Sequence, residues 1–256
     1  MNGFEGVAGL VLVFVSGGLM LFFALRWRER PKPPLRVIPA FRRLRQSTGL
    51  TVEDGKRIHV SLGNMDILSP TAASALVGLS TLERIAQLGM ISDRPPIATS
   101  GDGSLAILSQ DSLRYAYRNG NAIERYDASL ARLSGVTPFS FAAGTLPVVH
   151  KDDVLTNIFV GNFGPEVALL NDAAERKASY SLAASNSLPA QAVMYATAVD
   201  TLIGEELFAI PAYLNAGPFQ RASLQIQDIL RWILIAVLVG GGFIKIIETL
   251  LGISIL

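Results

Sequence analysis

Apolar positions gather at the two ends of this chain and thin out between them. Val7 to Leu25 runs without a charge, close to the roughly 20 residues an α-helix needs to cross ~30 Å of hydrocarbon. Apolar letters return at Trp232 to Ile244, are interrupted by Lys245 and Glu248, and resume to Leu256. A second span from about Trp232 to about Leu250 is expected, with Lys245 snorkelling outward and Glu248, three residues on, neutralising it. The alternative makes Lys245 and Glu248 a pair buried in a helix bundle.

Between the ends, short apolar runs alternate with helical spacings. Arg57–Leu62, Pro96–Ser100, Val136–Ala142, Asp153–Gly161 and Ala192–Thr197 read as strands. Helices are expected over Pro70–Gly89 with Ser69 as N-cap, over Ser104–Arg118 ending at Asn119-Gly120, from Pro165 onward, and from Asp200 or Thr201 toward Leu214. Strands alternating with helices predict an α/β sandwich with a parallel or mixed sheet. The expected domains are an N-terminal transmembrane helix over 1–25, a linker over 26–45, an α/β domain over 46–225 and a C-terminal transmembrane helix over 226–256.

Charge sharpens that division. Residues 26–45 hold Arg26, Arg28, Arg30, Lys32, Arg36, Arg42, Arg43 and Arg45 against Glu29, while 46–225 carries 12 basic and 17 acidic residues. With Pro31, Pro33, Pro34 and Pro39 among them, the basic positions predict an extended juxtamembrane segment lying on anionic lipid. The positive-inside rule puts the domain in the cytoplasm and the amino terminus outside. Because the positive charges follow the apolar stretch, a retained anchor is expected and not a cleaved signal peptide. An acidic domain beside the basic run argues against nucleic acid as a partner.

Candidate chemistry is sparse. Zero cysteines exclude thiolate work and disulfides, and with only His59 and His150 a zinc site would need mostly carboxylates; no metal and no cofactor are expected. Ser100 and Ser109 have no histidine at a recognisable spacing, so no catalytic residue is assigned. Gly63, Gly101, Asp102, Gly103, Gly161 and Gly164 follow predicted strands, where open α/β sheets bind ligands. They complete neither a dinucleotide fingerprint nor a Walker motif, and turn chemistry alone accounts for such glycines. Asp66, Asp93, Asp102 and Asp200 precede or open predicted helices and read as caps. Gly17, Gly18, Gly240, Gly241 and Gly242 offer flat faces for close helix packing in a membrane.

The stretches Ile91–Ser104, Ala142–Val148, Leu188–Ala192 and Leu202–Phe208 resemble an uncharacterised family of bacterial membrane proteins, a domain of unknown function. The resemblance covers most of residues 46–240 and implies a bacterial plasma-membrane address without an activity. The leading expectation is a membrane scaffold or assembly subunit that forms a homo-oligomer, without catalysis, in which another membrane complex is a conceivable partner. The alternative is a tethered sensor or binding module for a small anionic or nucleotide-like ligand at the sheet edge. An enzyme acting on a membrane-associated substrate comes third.

Overall fold

Six short strands line up in parallel because each is flanked by a helix that returns the chain to the same end of the sheet. The computed structural model describes residues 3–26, 35–64, 69, 72–90, 92, 94–214 and 217–251. Arg28, Arg30, Lys32, Asp66, Asp93, Pro70 and the Glu248 side chain, all assigned roles from sequence, lie outside the described residues. The chain divides into one unit of Met1–Pro34 with Gly217–Leu256 and another of Leu35–Ala216.

In the first unit, α1 (Gly3–Arg26) and α9 (Pro218–Leu251) pack on each other. Ala24 and Ala222 are buried at their contact, with Met20 and Phe23 against them. Both helices are long and apolar enough to cross a membrane, over Gly9–Arg26 and Phe219–Phe243. At 34 residues, α9 is about 51 Å long, well over a bilayer's hydrocarbon thickness. Its third and fourth turns carry the Asp228–Arg231 pair, and the large apolar side chains from Trp232 to Phe243 are exposed.

The second unit holds α2 (Pro39–Glu53), β1 (Arg57–Gly63), α3 (Ala72–Gly89), β2 (Ile97–Ser100), α4 (Gly103–Asn119), β3 (Ala131–Leu133), α5 (Pro138–Lys151), β4 (Val154–Asn162), α6 (Val167–Arg176), β5 (Tyr180–Ser185), α7 (Leu188–Thr197), β6 (Asp200–Leu202) and α8 (Glu206–Tyr213). The strand order is β3-β2-β1-β4-β5-β6, all parallel. The α/β expectation holds in its parallel form.

Alternation along the strands assigns the faces. Ile58, Val60, Leu62, Ile158, Val160, Leu182 and Ala184 join the core formed with α2, α3, α4 and α8. Phe159, Phe163 and Ala183 face a smaller core built on α5, α6 and α7. Because β1 and β4 are neighbours while their connecting helices lie on opposite faces, the loops that follow them diverge there.

Several local expectations give way. Val136–Ala142 is no strand: Thr137 and Ser140 form a capping box, and Pro138 at the first helical position starts α5. Ala192–Thr197 lies inside α7, which Leu188-Pro189 opens. Asp200 and Thr201 begin strand β6 and not a helix. β3 and β5 were invisible as apolar runs, the latter being Tyr-Ser-Leu-Ala-Ala-Ser. The compact unit also reaches back beyond 46, since α2 buries Ala40, Phe41, Leu44, Thr48 and Thr51 on one stripe.

Candidate functional site

The carboxyl edge of the sheet has a closed half and an open half. On the closed half, Gly101 N–H donates to the Gly63 carbonyl at 2.8 Å and Asn64 N–H to the Asn162 carbonyl at 3.1 Å. Gly63 sits at φ +81, where a side chain would run into the Asn162 backbone. A Cβ on Gly101 would lie 2.6 Å from Asn64 Cα, and one on Gly161 would strike the Leu62 carbonyl. These three glycines let backbone meet backbone and leave no room for a ligand. Asp102 is the N-cap of α4, accepting from Leu105 N–H at 3.0 Å and from the Ser104 hydroxyl. Burial opposes its charge, but those hydrogen bonds prevail and hold the carboxyl below its ordinary range. Gly103, in the first turn of α4, has open space around it.

The open half lies past β4 and β5. A cleft of about 480 Å³ is lined by Asn64 after β1, by Asn162 to Glu166 after β4, by Asn186 and Ser187 after β5, and by Pro138 and Phe139 at the start of α5. Its size suits a small molecule. Of the six loop residues assigned to a ligand from sequence, only Gly164 lines it.

Glu166 anchors this cleft. The residue is 3% exposed, and its Oε1 accepts from Gly164 N–H at 2.9 Å and from Asn64 Nδ2 at 3.2 Å. Its other oxygen, Oε2, makes no hydrogen bond to any described residue. Asn186 Oδ1 is buried and likewise without a donor. Gly164 has no side chain because the Glu166 carboxylate occupies that space. Sequence reading missed Glu166, Asn186, Ser187 and Phe139; the only local sign was the Gly-Pro-Glu turn at 164–166.

Backbone donors are scarce around it. Pro138 and Pro189 occupy the first turns of α5 and α7, and Pro165 precedes α6. Val167, Ala168 and Leu169 N–H groups at the start of α6 donate to the carbonyls of Gly164, Pro165 and Glu166. The N-terminus of α6 therefore has little left to offer an anion, and the prolines remove one donor each from the starts of α5 and α7.

Beneath the cleft's face of the sheet runs a buried polar row. His59 Nδ1 pairs with Asn157 Oδ1 at 2.9 Å and Nε2 with Thr99 Oγ1 at 2.8 Å. Thr99 continues to Ser61, and Asn157 to Ser179, which donates to the Ala174 carbonyl. Burial pushes the His59 pKa down to about 4, so the ring is neutral. It is a satisfied core histidine, and among the described residues no cluster of three metal-ligating side chains exists.

The basic run is split in use. Arg36 and Arg42 are exposed, but Arg43 engages the buried Asp200 with Nε and Nη2, Nε lying 2.8 Å from Oδ2. Tyr180 donates its hydroxyl to the same carboxylate at 2.8 Å; burial, and then that bond, raise its pKa. Asp200, read from sequence as a cap, is thus a buried ion-pair partner that fixes α2 to β6. Arg45 donates to the Tyr213 carbonyl at 2.7 Å and Arg84 Nε to that of Leu214 at 2.8 Å, closing the end of α8. These arginines flank an apolar groove of about 380 Å³ along α2 and α3, where their charge is already used.

In the membrane unit, a Cβ on Gly17, Gly18, Gly240, Gly241 or Gly242 would meet nothing within 4 Å. The contact between α1 and α9 does not use these faces.

No curated protein and no solved structure matches this chain. Residues 3–256 match one family throughout, from the first helix to the last. The chain belongs to the family described as Domain of unknown function (DUF6754).

Proposed function

We propose that this protein is a membrane-tethered binding module that holds a small ligand in the cleft between the β4 and β5 loops. One observation carries the reading. A doubly wound sheet of order 3-2-1-4-5-6 has its open cleft beside the β1/β4 switch point, with a nearly buried carboxylate in it. The two helices tether the module, and the basic positions beside α1 favour a cytoplasmic domain with the amino terminus outside, in a bacterial plasma membrane. A reporter fused at the exposed Gly120 that is active only outside the cytoplasm would reverse that orientation.

Native mass spectrometry after mild detergent extraction tests the module. The wild-type chain is expected to carry a non-lipid mass that Ser187→Trp, which fills the cleft, loses; equal occupancy in both ends the proposal.

The glycine faces of α1 and α9 favour a second property, assembly into a homo-oligomeric scaffold, since no described residue covers them. The same spectra read it: multiples of one chain that Gly241→Leu dissociates support assembly, and a monomer throughout refutes it.

A further inference from the structure

The chemistry of the cleft points to the class of its ligand, on the understanding that the cleft is a binding site at all. We infer that the ligand presents a cationic nitrogen with several N–H donors, a primary ammonium or a guanidinium, and that Glu166 receives it.

Unpaired acceptors are what the cleft offers. Glu166 Oε2 has no donor among the described residues, and Asn186 Oδ1 is buried with none. A carboxylate that is 3% exposed has shed most of its water, and its two hydrogen bonds from Asn64 and Gly164 both fall on Oε1. The second oxygen is therefore a directed, poorly solvated negative site. A buried acceptor left unmade is costly, and a ligand N–H group removes that cost.

Backbone donors for an anion are few in the same cleft. The α6 N–H groups are taken by their own turn, and prolines delete others at the starts of α5 and α7. A phosphate here would meet a carboxylate and find few free backbone N–H groups, which is the reverse of a nucleotide cradle. The walls suit the rest of such a molecule: Pro138, Phe139 and Pro165 present apolar surface, and the exposed Phe139 ring can turn its face to a cation.

The test is calorimetric titration of the full-length protein in detergent with agmatine and cadaverine as cationic probes and AMP and inorganic phosphate as anionic ones. Saturable binding of a cationic probe is expected. Glu166→Gln should weaken it roughly tenfold or more, since the isosteric amide can keep the Oε1 bonds while it removes the charge and puts an N–H donor in place of the Oε2 acceptor. Asn186→Asp should tighten it, a gain that a misfolded variant cannot mimic. AMP or phosphate binding that Ser187→Trp abolishes, with the cations inert, overturns this inference and leaves the binding module standing. Cation binding unchanged by Glu166→Gln also overturns it. If all four probes fail to bind and Ser187→Trp leaves the native mass unchanged, both readings fall.

Discussion

The two halves of the sheet's carboxyl edge carry similar letters and do opposite things. On the β1–β2 half, Gly63 and Gly101 are filled by neighbouring backbone, and Asp102 spends its carboxylate on its own helix. On the β4–β5 half, Gly164 makes room for a carboxylate with one oxygen that no described residue pairs, beside a cleft. A glycine-rich βα loop is therefore no evidence of a ligand by itself. What matters is whether backbone or space occupies the position its side chain has vacated.

That contrast breaks most visibly at its glycines. Gly63→Ala forces a side chain into φ +81 and into the Asn162 backbone, so chemical denaturation should show a loss of about 3 kcal/mol or more. Gly164→Ala meets only the end of the Glu166 side chain, and should cost about 1 kcal/mol while disturbing the cleft. Comparable losses at both would erase the distinction between the halves.

The polar row gives the next effect. Folded His59 takes a proton only near pH 4, against 6.5 for a free ring. Between those values the unfolded chain binds more protons. The stability due to the neutral ring is whole above pH 6.5 and falls by about 3 kcal/mol as pH drops toward 4. His59→Gln should flatten that part of the pH profile, whatever it does to the baseline.

Smaller still is the difference between adjacent arginines. Arg43→Ala leaves the buried Asp200 with Tyr180 alone and should cost about 2 kcal/mol, moderated because Arg43 is half exposed. Arg42→Ala should stay within about 0.5 kcal/mol in stability.

These cases mark what the sequence could disclose. β1, β2 and β4 are apolar enough to declare themselves, and Asp102 with Asn119-Gly120 bounds α4 by local chemistry. β5 is small and polar because neighbouring strands and helices bury it, which no local window registers. Val136–Ala142 has β-branched and aromatic letters, yet the Thr137–Ser140 capping box outweighs them. The cleft was illegible for a stronger reason. It joins loops as far apart in sequence as Asn64 and Ser187, and its key carboxylate looks like any glutamate at a helix start until Asn64 and Asn186 are placed beside it.

Accessibility of the two halves can be compared in one experiment, because the chain has no cysteine of its own. Ser187→Cys places a thiol in the cleft and Ser104→Cys one on the closed half. The measurement is the rate of maleimide labelling of each variant in detergent, with and without agmatine. Agmatine is expected to slow labelling at position 187 roughly fivefold or more and to leave position 104 unchanged. Equal rates with and without agmatine at both positions would contradict the claim that the β4–β5 cleft receives a cationic ligand on Glu166.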